Sequence, residues 1–232
     1  MNSFLLPLLL AVTAVVEVPP PTVHPKVKRG GRRIETAHIT PARVTIAKRG
    51  IKGADRMPDL EEDIGRRLTA LVSSYLGSKG VKLLPAADSG ESAQYEQADL
   101  QRRYDTVDQQ LSSKPGGVSN GRVTLSDAVA AYRPAAGTDC IVFIRGKATV
   151  LDRTERIIGT VPGPWMWAAK DQVFDGHLAF VDSRSGEVLI YAAFTTYGYG
   201  WKLSVDELLP RLQDTIRQMR PPASAVFGTN RP

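Results

Sequence analysis

His177 is the residue of this chain best suited to move a proton. It stands in "DGHLAFVD" between Asp175 and Asp182, and either carboxylate could orient the imidazole. The simpler reading makes it a hairpin residue in ordinary surroundings. Cys140 is the single cysteine. It would serve as a nucleophile only if partly exposed among positive charges. Instead it opens the apolar run Cys140–Ile144, where a free thiol behaves as a small core residue. Three scattered histidines, His24, His38 and His177, and one cysteine offer no metal-ligand spacing. The chain has no nucleophile elbow and no phosphate-cradling loop, and Gly116-Gly117 reads as loop glycine. Asp59, Glu61, Glu62 and Asp63 gather at a helix start, where negative charge complements the helix dipole. No catalytic residue, metal or cofactor is therefore expected.

Residues suited to contact are better represented. All three tryptophans lie in two short stretches: Trp165 and Trp167 in "VPGPWMWAAK", and Trp201 in "TYGYGWK" beside Tyr197 and Tyr199. These rings either cap the sheet or form an exposed patch on which a partner docks. Trp and Tyr supply the large contact area that interface anchors need. The five are expected to bind a protein partner. Lys26, Lys28, Arg29, Arg32 and Arg33 fall within eight positions of each other beside a Pro-rich stretch. They form either a solvated linker or an arm for an anionic membrane surface. A net charge of +6 alone does not make a nucleic-acid binder. Zinc spacing, an aromatic-glycine RNA signature and a helix-turn-helix are all missing from the sequence.

The elements that must position these residues read as one domain. The 232 residues are 42% hydrophobic and 23% charged, which is ordinary globular composition. Residues 1–14 read as a signal peptide. The run Phe4–Val16 is apolar but too short to span a bilayer, and Val12-Thr13-Ala14 is an acceptable cleavage signal. Residues 15–37 read as a Pro-rich basic linker, 38–220 as a single globular domain, and 221–232 as a disordered tail.

Within the domain, Ile39–Ala47 is a plausible first strand. Leu60, Ile64, Leu68, Leu71, Val72 and Tyr75 recur at helical spacing behind a capping-box-like Asp59 and Glu62. Val81–Leu84 is a short strand, and Ser92–Leu111 a helix with the stripe Leu100, Tyr104, Val107 and Leu111. Ser112–Arg122 is a loop and Ser126–Tyr132 a brief helix. The continuous apolar run Cys140–Ile144 implies a central strand covered on both faces. Phe174–Val181 and Val188–Thr195 form a hairpin around Gly186, and a last helix spans Val205–Met219. The order β-α-β-α-α-β-β-β-α fits an α/β (α+β) fold, a single mixed β-sheet with helices packed on it.

From about Arg43 to Met219 the chain resembles the CsgG, LpoB and TolB-N-terminal-like class of bacterial envelope proteins. Gly137-Thr138-Asp139 leads into a buried strand ending in Gly146. A later hairpin carries Asp182 and then Gly186 to Leu189. The resemblance implies a periplasmic, outer membrane-associated accessory domain, an assembly or activation factor acting through protein contact. Two features set this chain apart from lipoprotein and pore-forming members. It has no lipid-bearing cysteine after the apolar run, and Leu151–Val173 is too short for paired membrane hairpins. Two alternatives stand beside an accessory protein: an envelope enzyme working near His177 and Asp182, and a homo-oligomer built through sheet edges.

The cleavage signal predicts that the exported chain begins at Val15. Mass spectrometry of the exported protein checks this; an intact Met1 in a cytoplasmic fraction overturns it.

Overall fold

A computed structural model describes residues 16–17, 19–50, 53–85, 90–125, 129, 131–132, 135–151, 170–199 and 227. The expected signal peptide, the expected helix at Val205–Met219 and the docking residues Trp165, Trp167 and Trp201 lie outside these residues, as does most of the brief helix expected at Ser126–Tyr132.

The described strands form one nine-stranded mixed sheet around β7 (Cys140–Leu151). On one side β7 pairs antiparallel with β8 (Lys170–Asp182), and β8 with β9 (Val188–Tyr199). On its other side two strands follow each other in parallel register. β3 (Thr36–Ile39) lies beside Cys140–Val142, and β4 (Arg43–Gly50) beside Arg145–Leu151. The single strand expected over Ile39–Ala47 is thus broken at Pro41, which has no N–H for a ladder. Thr40 bridges the break, its N–H and hydroxyl both donating to the Val142 carbonyl at 3.0 Å. Two short strands extend the edges: β5 (Gly53–Arg56) pairs with β4, and β6 (Lys82–Leu83) with β3.

Two long helices cover the faces. α2 (Pro58–Ser78) buries Ile64, Leu68, Val72 and Leu76 against Val44, Ile46, Val142, Ile144 and Phe174. α3 (Glu91–Ser113) buries Leu100, Tyr104 and Leu111 against Ile141, Phe143, Ala179, Val181 and Tyr191. The apolar run of β7 therefore feeds two cores alternately, as its lack of polar residues implied. Gly146 and Gly176 make room on the α2 side for aromatic rings. A Cβ on Gly146 would lie 2.5 Å from the Phe174 ring, and one on Gly176 would collide with Phe194.

Three expectations are corrected. The capping box at Asp59 does not form: α2 begins with Pro58 at its first position behind Met57, with no side-chain cap. Proline suits that position because the N–H it lacks would be unpaired there. The segment read as a free linker is part of the fold. β1 (Val16–Glu17) and β2 (Thr22–Val23) pair with β9, and α1 (Pro25–Lys28) follows. Val23, Val27 and Ile34 are buried, and apolar anchors of that size outweigh the extended preference of the prolines between them. His24, placed in that linker by sequence, is buried and caps α1 by accepting the Lys26 N–H at 3.1 Å. In the segment read as a disordered tail, Phe227 bridges Ile34 and packs on Phe180, with ring centroids 5.5 Å apart.

Cys140 is fully buried, and burial pushes its thiol far above the ordinary range. A thiol reagent is expected to label it slowly in the native protein and rapidly once denatured. Cys140→Ser should cost about 1–3 kcal/mol, because a hydroxyl replaces an apolar thiol in the core. Denaturant melts measure the cost, and fast native labelling would contradict it.

Candidate functional site

The two faces of the sheet differ where the strands run on past α3. On the α2 side the apolar series continues through Ala148, Phe174 and Phe194. On the α3 side it stops at Phe143, and the next positions are Arg145, Lys147 and Thr149 of β7, with His177 and Asp175 of β8 opposite the first two. Arg43 and Thr45 of β4 continue the same rows. The polar wall is one side of an open cleft of about 830 Å³, and Asp105, Asp108 and Ser112 of α3 line another. Spaced three and four apart, these helix residues share one face.

Arg145 marks the boundary between core and cleft. Its side chain is 9% exposed and pairs with Asp105, Nη2 lying 2.7 Å from Oδ1. Its remaining donors reach the carbonyls of Ile144 and Gln101, each at 3.3 Å. The guanidinium lies 4.7 Å from the centre of the Tyr104 ring, which stacks on Phe143 at 4.1 Å. Such a setting suits an arginine, which is planar and weakly hydrated. Asp105 also takes Arg43 at 3.0 Å, so one carboxylate serves two arginines.

One turn further along α3, Asp108 accepts from Tyr104 Oη at 3.3 Å and lies 3.1 Å from Nδ1 of His177. Nε2 of the same ring is 3.9 Å from Asp175, whose other oxygen accepts the Thr195 hydroxyl at 3.0 Å. Burial pulls the imidazole pKa down, but the Asp108 hydrogen bond and charge, helped by Asp175, outweigh it and hold it above the ordinary 6.5. The surroundings of His177 are therefore not ordinary. Sequence reasoning missed Asp108, Ser112 and Arg145, although the alternation Arg145, Lys147, Thr149 signalled a polar strand face.

Ser112 lies 3.5 Å from His177, so serine, histidine and aspartate meet in one cleft. They do not form a nucleophile triad. Serine and aspartate both approach Nδ1, whereas a triad needs the serine on the opposite ring nitrogen. The Ser112 hydroxyl already donates to the Asp108 carbonyl at 2.7 Å.

The other sequence candidates are dispersed. Tyr197 and Tyr199 lie on the last positions of β9, at the far end of the sheet. The basic set is split. Lys26 pairs with Glu187 at 2.6 Å and Arg32 with Asp182 at 2.8 Å, fastening the N-terminal segment to the β8–β9 turn, while Lys28 and Arg29 are exposed. Asp182 also accepts the N–H groups of Arg184 and Ser185. Burial pushes its pKa up, yet these donors and Arg32 bring it below the usual value. Of the helix-start carboxylates, Glu61 accepts the Ile46 N–H at 2.9 Å and pairs with Arg56. His38 is a core residue whose pKa burial lowers, its ring nitrogens meeting the Leu84 carbonyl and Tyr132. Among the described residues no cluster could hold a metal ion, and no helix is long and apolar enough to cross a membrane.

No family model matches the sequence, and comparison with curated proteins finds no match. Among solved structures, the chain is similar to the PelC dodecamer from Paraburkholderia phytofirmans in space group P6. Identity is 9% and the TM-score 0.37, over 94% of this chain and 100% of that one. A variant PelC dodecamer from the same organism, in space group C2, gives 10% identity and a TM-score of 0.35 over the same shares.

Replacing Arg145 with Ala leaves Asp105 with Arg43 alone and uncovers the Tyr104 ring. The expected cost is roughly 2–3 kcal/mol, less than for a fully buried pair because Asp105 stays half in water. Urea denaturation checks this; a loss under about 0.5 kcal/mol would show that Arg145 does not hold α3 to the sheet.

Proposed function

We propose that this protein is a non-enzymatic accessory protein of the bacterial cell envelope, an assembly or activation factor that works by protein–protein contact. The apolar run Phe4–Val16 and its cleavage signal support export to the periplasm. The observation that carries the contact reading is the polar wall itself. β4, β7 and β8 outrun α3 and present a shaped, open face. Its buried-side charges are already held by partners, as in Arg145–Asp105 and His177–Asp108. Fixed, paired charges of this kind give an interface register and partner choice.

The competing reading, an envelope enzyme working near His177 and Asp182, is favoured by the polar cleft at His177 but draws nothing from Asp182. The two residues stand five positions apart on β8, roughly 17 Å at the rise of a strand, and Asp182 serves the turn and Arg32. The aromatic residues Trp165, Trp167, Tyr197, Tyr199 and Trp201 remain the proposed anchors, joined by the wall around Lys147.

Cross-linking in envelope fractions tests the reading, comparing the intact chain with Trp165→Ala plus Trp167→Ala and with Lys147→Glu. Loss of one anchor is expected to cost about 2 kcal/mol, roughly thirtyfold in affinity, with the melting temperature unchanged. Unchanged cross-linked adducts in both variants, with unchanged melts, would remove the docking reading. A lowered melt without a binding defect would assign the tryptophans to the core.

A further inference from the structure

The cleft wall is balanced to within one charge. Arg43, Arg145 and Lys147 face Asp105, Asp108 and Asp175, three cations against three carboxylates. Arg56 and Glu61, on the α2 side, cancel within their own pair, and Glu62 points towards Arg66. With Glu62, which also lines the cleft, four cations stand against five carboxylates, so a proton on His177 takes the lining from net negative to neutral.

We propose that His177 is a proton-operated latch: protonated, it forms an ion pair with Asp108 of α3, faces Asp175 of its own strand β8 and cancels the surplus negative charge of the cleft; neutral, it keeps a single N–H bond and the ion pair is lost. A neutral imidazole carries a single N–H, so it can serve Asp108 through Nδ1 or Asp175 through Nε2, but not both. Only the doubly protonated ring presents a donor to the carboxylate at 3.1 Å and a positive edge to the one at 3.9 Å. The side chains of His177 and Asp108 are 14% and 15% exposed, so water screens the pair poorly.

Among the described residues, three elements besides β8 pack around the ring. α3 brings Asp108 and Asp105, with the hydroxyls of Tyr104 and Ser112. β7 brings Arg145, whose charge opposes protonation. β9 brings Tyr191, whose ring lies 5.5 Å from the imidazole and whose hydroxyl is 3.4 Å from Ser112. Burial raises the Tyr191 pKa far above neutrality, so it stays a neutral hydroxyl throughout the range in which His177 titrates. A second tie, Arg145–Asp105, lies one helical turn away. α3 is thus tied to the sheet at Asp105 and again at Asp108, and the proton on His177 changes the strength of the tie at Asp108.

The direction follows from the imidazole being held above its ordinary 6.5. The latch is whole below pH 6.5 and is lost as the pH rises through the folded-state value. The other two histidines do not interfere in that window, since burial moves His24 and His38 below 6.5.

The test uses the full chain, without a partner, and is independent of the docking reading. Ring resonances of His177 are followed by NMR from pH 5 to about 9, with denaturant midpoints for wild type and His177→Gln. The ring is expected to titrate above 6.5, and Asp108→Asn to bring that value down. Wild-type stability should fall as the pH rises above 6.5 while His177→Gln stays level. Amide exchange at 108–113, corrected for its intrinsic pH dependence, should quicken over that range relative to α2. A wild-type ring titrating at or below 6.5, or equal pH dependence in wild type and His177→Gln, overturns the proposal. Because the ring titration is read on the wild type, it decides the matter even if a variant fails to fold.

Discussion

The structure depends on the double burial of β7. Cys140, Val142 and Ile144 enter one core and Ile141 and Phe143 the other, all at 2% exposure or less. A strand without a solvent face must have every backbone group paired and both sides covered by apolar elements. That condition calls for β3 and β4 on one edge and β8 on the other, and for a helix on each face. Val142, Ile144, Ile141 and Phe143 each contribute about 1.5–3 kcal/mol on burial.

The cleft arises where this condition lapses on one face. α2 follows the sheet across Val44, Ile46 and Phe174, but α3 stops covering it after Phe143. At that boundary the chain places Arg145, whose aliphatic stem and flat guanidinium lie on Tyr104 while its donors reach Asp105. An arginine can finish a hydrophobic layer and begin a polar one because its stem and head differ so much in hydration. Beyond it the alternation continues with Lys147 and Thr149, so the pleat that builds the core also builds the polar wall. Core and cleft are consecutive rows of one sheet, and a change in one is felt in the other.

A second economy appears at the N-terminal segment. β9 would be an open edge, with unpaired N–H and C=O groups able to template another strand. β1 and β2 cover it in two short pairings separated by Pro19, Pro20 and Pro21, residues that offer no donor to a further strand. The segment is held at its far end by buried Val23, Val27 and Ile34 and by ion pairs of Lys26 and Arg32 with the β8–β9 turn. The basic cluster thus does structural work with two of its members.

Much of the scaffold was legible because its signals are local. The 3.6-residue spacing of Ile64, Leu68 and Val72, the unbroken apolar run from Cys140 and the turn at Gly186 each depend on near neighbours in the chain. They determined the two helices, the central strand, the hairpin and the mixed-sheet class. The sequence also showed Cys140 as a core residue, since a thiol inside such a run has nowhere else to go. The cleft was not legible. Asp108 meets His177 across 69 positions and Asp105 meets Arg145 across 40, and no periodicity reports which carboxylate will face which cation. The N-terminal segment was misread for a related reason: local composition favours an extended, solvated chain, while its order comes from the β9 edge and the carboxylates of Asp182 and Glu187. Pattern in one dimension specifies which face of an element is apolar. Which polar groups become partners is decided only when tertiary packing brings distant elements within a few ångströms and removes the water between them.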